Sequence, residues 1–131
     1  MDRDQQFLQR AIDLALANVR DAGGRPFGAL VVKEGRVIAT GVNEIGATGD
    51  PTAHAELSAI RQAAQVLGAA RLDGCIVYAS GQPCPMCLSA MYLTGVSAVR
   101  FAYSNADAEP FGLSTASIYA ELAKPLEEQG L

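Results

Sequence analysis

Apolar residues recur along this chain at two different intervals. Over residues 4–20, Leu8, Ile12, Ala15, Leu16 and Val19 fall three and four apart, the spacing of one helix face, and Gly23-Gly24 beyond them supplies a stop. The interval then shortens. Residues 27–32 (F-G-A-L-V-V) and 36–41 (R-V-I-A-T-G) flank K-E-G, where Gly35 can take a positive φ, so a β-hairpin is predicted. A Gly-rich polar loop over 43–49 leads to Asp50-Pro51, a preferred N-cap followed by a residue suited to the first helical position. That helix is expected to run to Leu67, with Gly68 as its stop. A β-branched and aromatic strand over 75–80 follows, then a helix over 83–94 opened by Gly81-Gln82-Pro83 and closed by Gly95. A strand over 98–103 and a helix around 115–123 complete the pattern.

The predicted order is α-β-β-α-β-α-β-α. A hairpin followed by strand-helix-strand crossovers implies an α/β fold in three layers, with a mixed central sheet and helices on both faces. No repeat, low-complexity tract or linker divides the 131 residues, so a single domain over 1–131 is expected.

Composition narrows the function. Half the residues are apolar and 18% are charged, which excludes a disordered chain. No apolar run reaches the roughly 20 residues of a membrane span, and the polar start M-D-R-D-Q-Q lacks a signal-peptide layout. A cytoplasmic protein without a membrane partner is expected. The net charge of −4 is unevenly spread: residues 1–103 are neutral, and Asp107, Glu109, Glu121, Glu127 and Glu128 face only Lys124 beyond them. Nucleic-acid binding needs clustered Lys and Arg, and none is present. A small neutral substrate fits better.

Three cysteines without an export signal do not make a disulfide framework. Cys75 reads as a small buried residue, whereas Cys84 and Cys87 form C-P-M-C in the first turn of a predicted helix. There the unpaired N–H groups and the helix dipole favour thiolates. Such a pair can be redox-active, can grip a metal, or can be inert, and local context does not separate these. His54, the only histidine, does. It lies in the predicted first turn of the preceding helix, 30 residues before Cys84. Consecutive crossover helices open at the same edge of a sheet, so His54, Cys84 and Cys87 can converge at the carboxyl ends of the strands. His, Cys and Cys suit zinc and leave a fourth position for water. Glu56, about 200° around the helix from His54, is placed to move protons rather than to ligate. The sum predicts one Zn2+ per chain, a bound water made acidic by the metal, and Glu56 exchanging protons with that water.

H-A-E followed by P-C-P-M-C is the general signature of zinc nucleobase deaminases. With P-F-G-A-L-V-V, D-P-T-A-H-A-E, G-V-N, L-D-G-C-I-V-Y and the late S-I-Y, the chain resembles the cytidine-deaminase superfold over residues 25–125, and within it the bacterial guanine deaminases. The resemblance implies a cytidine-deaminase-like fold, a homodimer and a nucleobase-like substrate such as guanine. It implies zinc held by His54, Cys84 and Cys87, proton transfer by Glu56, and substrate contacts from Asn43, Phe27 and Ala55. It also marks departures. Gln82 stands where these relatives carry Glu before P-C-P-M-C, and Ser114 and Thr115 stand where they carry substrate-reading carboxylates. The chain ends at Leu131, where the family is expected to continue into a strand and a closing tail. Another base, a nucleoside or a triazine is therefore an alternative substrate. A C-x-x-C thiol–disulfide protein and a non-catalytic zinc-stabilised interaction module are the alternatives of other classes.

Overall fold

The computed structural model describes residues 1–131. Helix α1 (Arg3–Ala22) opens on Asp2, whose side chain and that of Gln5 cap one another's backbone N–H groups, and closes on Gly23 at φ 63°. Its inward face keeps Leu8 and Ala15 of the predicted stripe but is rotated away from Leu16 and Val19. Ala11, Ala15 and Asn18 are buried, whereas Leu16 and Val19 are 57% and 46% exposed. The cause is close approach: a Cβ on Gly28 of the first strand would lie 2.5 Å from the Ala11 carbonyl oxygen. Only small residues fit along that line.

Strands β1 (Gly28–Lys33) and β2 (Arg36–Val42) form the predicted hairpin. Its turn uses positive φ at Glu34 (51°) as well as Gly35 (76°), the two-residue form whose twist matches the strands. β3 (Cys75–Gly81) and β4 (Ala98–Tyr103) complete a sheet of order β2-β1-β3-β4. β1 runs antiparallel to both neighbours and β3 parallel to β4, so β2, β3 and β4 end at one edge.

Between strands, α2 (Ile45–Thr48) occupies a stretch predicted as loop, α3 (Ala55–Leu67) links β2 to β3, and α4 (Pro85–Thr94) links β3 to β4. The period-2 alternation of the strands sorts the core into two sides. Ala29, Val31, Cys75 and Val77 pack with Ala59, Ile60 and Ala63 of α3 and Cys87 and Met91 of α4. Leu30, Val32 and Tyr78 face the other way, against Phe7, Leu8 and Leu14 of α1. Three layers result, as the sequence implies. No helix is long and apolar enough to cross a membrane.

Past β4 the chain changes character. A short α5 (Asn105–Ala108), a 3-10 turn (Glu109–Phe111), α6 (Ala116–Leu122) and a second 3-10 turn (Leu126–Glu128) wrap the sheet edge. Only α6 was foreseen. No residue after Met91 is buried.

Candidate active site

The two helices that open at the carboxyl edge begin later than predicted. Asp50 does not cap α3; its carboxylate closes a turn instead, accepting the Thr52 N–H at 2.8 Å and the Thr52 hydroxyl at 2.7 Å. The N-cap of α3 is His54, in extended backbone geometry (φ −76°, ψ 154°). The N-cap of α4 is Cys84 (φ −68°, ψ 165°), with Pro85 rather than Pro83 in the first turn. The His54 side chain makes no hydrogen bond to its own helix. The His54 and Cys84 side chains turn toward each other, and Cys87 in the first turn of α4 joins them.

His54 Nδ1 stands 3.5 Å from Cys84 Sγ and 3.5 Å from Cys87 Sγ, and the three donor atoms lie within 4.8 Å of one another. A tetrahedral zinc with bonds of about 2.3 Å to sulfur and about 2.0–2.1 Å to nitrogen requires nitrogen–sulfur separations of about 3.5 Å. The residues fit the ion. Cys87 is fully buried in the first turn of α4, and His54 and Cys84 are half-buried. Cys84 is pulled down to about 5, chiefly by the Cys87 thiol that hydrogen-bonds it, with backbone N–H groups and His54 adding. The same hydrogen bond, burial and the facing Glu56 push Cys87 up. A cation between the sulfurs removes that opposition, because a coordinating thiol gives up its proton.

Glu56 lies beside this cluster, 7% exposed. Burial raises its carboxyl to about 7, with the Cys84 thiolate pushing the same way and its own backbone N–H opposing. Such a group takes and returns a proton near neutral pH. Its height above β2 depends on Gly41: a Cβ there would sit 2.2 Å from the Ala55 carbonyl oxygen, so glycine lets the first turn of α3 settle on the sheet.

Above the cluster is a cavity of about 210 Å³. Its lining includes every substrate contact expected from the sequence: Phe27, Asn43, Ala55, Ser114 and Thr115, together with His54, Glu56 and Cys84. Cys87 lies beneath it. Asn43 is buried and rigidly held. Its N–H donates to the Phe27 carbonyl (3.2 Å), its carbonyl accepts from Asn18 Nδ2 (2.9 Å), and its Oδ1 accepts the Ile45 N–H (3.1 Å). Its own Nδ2 is left without a protein acceptor. Glu56 is the only carboxylate in the lining.

Sequence reading missed Gly112 and Leu113 of the lining and two polar contributors. Asn18 bridges the Asn43 and Arg25 carbonyls from α1, a polar residue on an otherwise apolar face, which was the available clue. Arg25 lines the cavity, and it opens the R-P-F-G-A stretch included in the resemblance without having been assigned a role there.

A mixed sheet that gathers three potential zinc ligands and a buried carboxylate at its carboxyl edge defines a zinc-dependent hydrolase. Residues 1–103 match the family described as the cytidine and deoxycytidylate deaminase zinc-binding region, and the chain belongs to it. The guanine deaminase of Bacillus subtilis is 49% identical over 125 residues, covering 95% of this chain and 80% of that protein. The X-ray structure of the guanine deaminase from Bacillus subtilis superposes with a TM-score of 0.90 at 48% identity, over 97% of this chain and 81% of that one. A tRNA-specific adenosine deaminase of Agrobacterium fabrum is 45% identical over 83 residues, 61% of this chain and 55% of its own.

Proposed function

We propose that this protein hydrolytically deaminates guanine, replacing an exocyclic ring amine with oxygen and releasing ammonia. The observation that carries the reading is the convergence of His54, Cys84 and Cys87 beside a buried Glu56 on the floor of one small cavity. Family membership and 49% identity to a guanine deaminase support it. His54 Nδ1 and the sulfurs of Cys84 and Cys87 are the proposed zinc donors. Zinc held there supplies a water whose pKa is lowered toward neutrality.

The remaining work falls to the chain. Glu56 accepts one proton of the attacking water and delivers it to a ring nitrogen, then takes the second proton from the same oxygen as the new carbonyl forms and delivers it to the departing amine, which leaves as ammonia. Asn43 offers its free Nδ2 to a ring carbonyl, and Phe27 packs against the ring. Ala55, with no side chain beyond Cβ, leaves room for the plane of the base. Ser114 and Thr115 complete the wall and offer hydroxyls to the far edge.

That last feature supports a second reading, a different amino-substituted base or nucleoside. A hydroxyl wall discriminates less sharply than carboxylates among bases that present ring N–H donors. The test is an ammonia-release screen of the zinc-loaded protein over guanine, adenine, cytosine, their nucleosides, pterins and triazines. Turnover of guanine at a kcat/KM above every other compound is expected; a higher value for another ring replaces guanine with that ring.

The chain is proposed to act as one domain and as a homodimer in the cytoplasm, without a nucleic-acid partner. Tyr92 and Leu93 of α4, 80% and 79% exposed, support association between copies, and the acidic C-terminal segment opposes RNA binding. Light scattering after gel filtration checks the first point, with a mass of two chains expected.

A further inference from the structure

The cavity wall that carries Ser114 and Thr115 belongs to the part of the chain with no buried residue, so packing alone does not place it. Hydrogen bonds do, and they form a chain of custody from the metal-binding loop to the wall. Gln82 sits between the end of β3 and Cys84, and its N–H donates to the Tyr103 carbonyl at 2.7 Å. Gln82 Oε1 accepts the Asn105 N–H at 2.9 Å. Asn105 Oδ1 in turn accepts two donors from the wall, the Thr115 N–H at 3.1 Å and the Thr115 hydroxyl at 3.4 Å. Further along, the Tyr119 hydroxyl donates to the Pro83 carbonyl. The wall is therefore indexed to residues 82–83, directly before the first cysteine donor.

We infer that Asn105 is a positioning residue for substrate: its side-chain oxygen holds Thr115, and with it Ser114, at a set distance from the zinc-binding loop. Asn105 does not line the cavity, and so it acts through Thr115. Only the acceptor oxygen is used; Asn105 Nδ2 makes no hydrogen bond to the protein. That asymmetry gives the inference its test. Asp keeps the acceptor at the same reach, and Ala removes it. The inference rests on the deaminase reading for its kinetic arm and not for its structural arm.

The experiment compares wild type, N105A and N105D in three readouts: zinc per chain, KM and kcat for guanine, and hydrogen exchange of the Thr115 amide. N105A is expected to raise KM about 10-fold with kcat within about threefold, the scale of one hydrogen bond to the backbone. Zinc content stays unchanged and the Thr115 amide exchanges faster. N105D is expected to behave as wild type in all three. Loss of zinc or of kcat at unchanged KM in N105A overturns the inference, because Asn105 then acts on the metal loop and not on the wall. Equal damage from N105D overturns it too, since the acceptor would not be what matters. If wild type does not turn guanine over, the substrate assignment fails, and Thr115 exchange alone decides on the tether: protection equal in wild type and N105A overturns it.

Discussion

The floor of the cavity and its far wall are built in opposite ways. The floor is made of helix starts rooted in the core: Cys87 and Ala55 are fully buried, and Ala59, Ala63 and Met91 behind them pack against Val31 and Val77. The wall hangs from the last third of the chain, where nothing is buried and side-chain hydrogen bonds set position. Chemistry that tolerates little displacement is placed on rigid elements, since a misplacement of about 1 Å can cost about 100-fold in rate. Recognition of the ring edge is left to a segment that can change residues at small cost to stability. On the proposed function, the deaminase reaction and the choice of base fall to physically separable parts.

The sharpest way to break the floor is Cys87→Ala. Zinc, measured by metal analysis of the purified protein, is expected to fall from about one per chain to near none, and ammonia release to the detection limit. Next comes Glu56→Ala, which should keep its zinc while kcat drops about 10²–10⁴-fold. Retained zinc with undiminished turnover would remove Glu56 from the mechanism. On stability, Leu72→Ala empties a fully buried site and should cost about 2–5 kcal/mol in urea unfolding. Leu126→Ala, at a residue 80% exposed in the terminal segment, should cost less than about 0.5 kcal/mol. Equal costs at the two positions would mean that the wall segment is held by packing after all. The smallest effect expected is on the wall itself: Ser114→Ala should raise KM for guanine by no more than about 10-fold and leave zinc unchanged.

The clustering of His54, Cys84 and Cys87, with Glu56 beside them, was legible because zinc chemistry calls for these residue types, and two helix starts at one sheet edge bring them together whatever the exact helix bounds. Those bounds were read wrongly. Asp50 and Pro51 carry every local mark of a helix start, yet tertiary placement of His54 moved the start four residues on, and Asp50 found its partner in Thr52 instead. The α1 face was misjudged for a similar reason. Bulk apolar residues at helical spacing suggested Leu16 and Val19, but contact with Gly28 selects for small residues, a requirement visible only once the strand is beside the helix. The central strands β1 and β3 were clear because a strand packed on both faces needs apolar residues at nearly every position, and G-A-L-V-V and C-I-V-Y-A supply them. The tether through Asn105 was invisible: it depends on one acceptor oxygen meeting a backbone N–H ten residues away.

The vacant caps of α3 and α4 bear on any effort to make this protein hardier. A helix that starts on Ser, Thr, Asp or Asn gains about 1 kcal/mol over one without a capping side chain. His54 and Cys84 would thus rank first in a scan for thermostabilising replacements, and accepting either would yield a sturdier but inert scaffold. Gains in heat resistance belong elsewhere, for instance at Val66 on the outer face of α3, 60% exposed and away from the cavity lining.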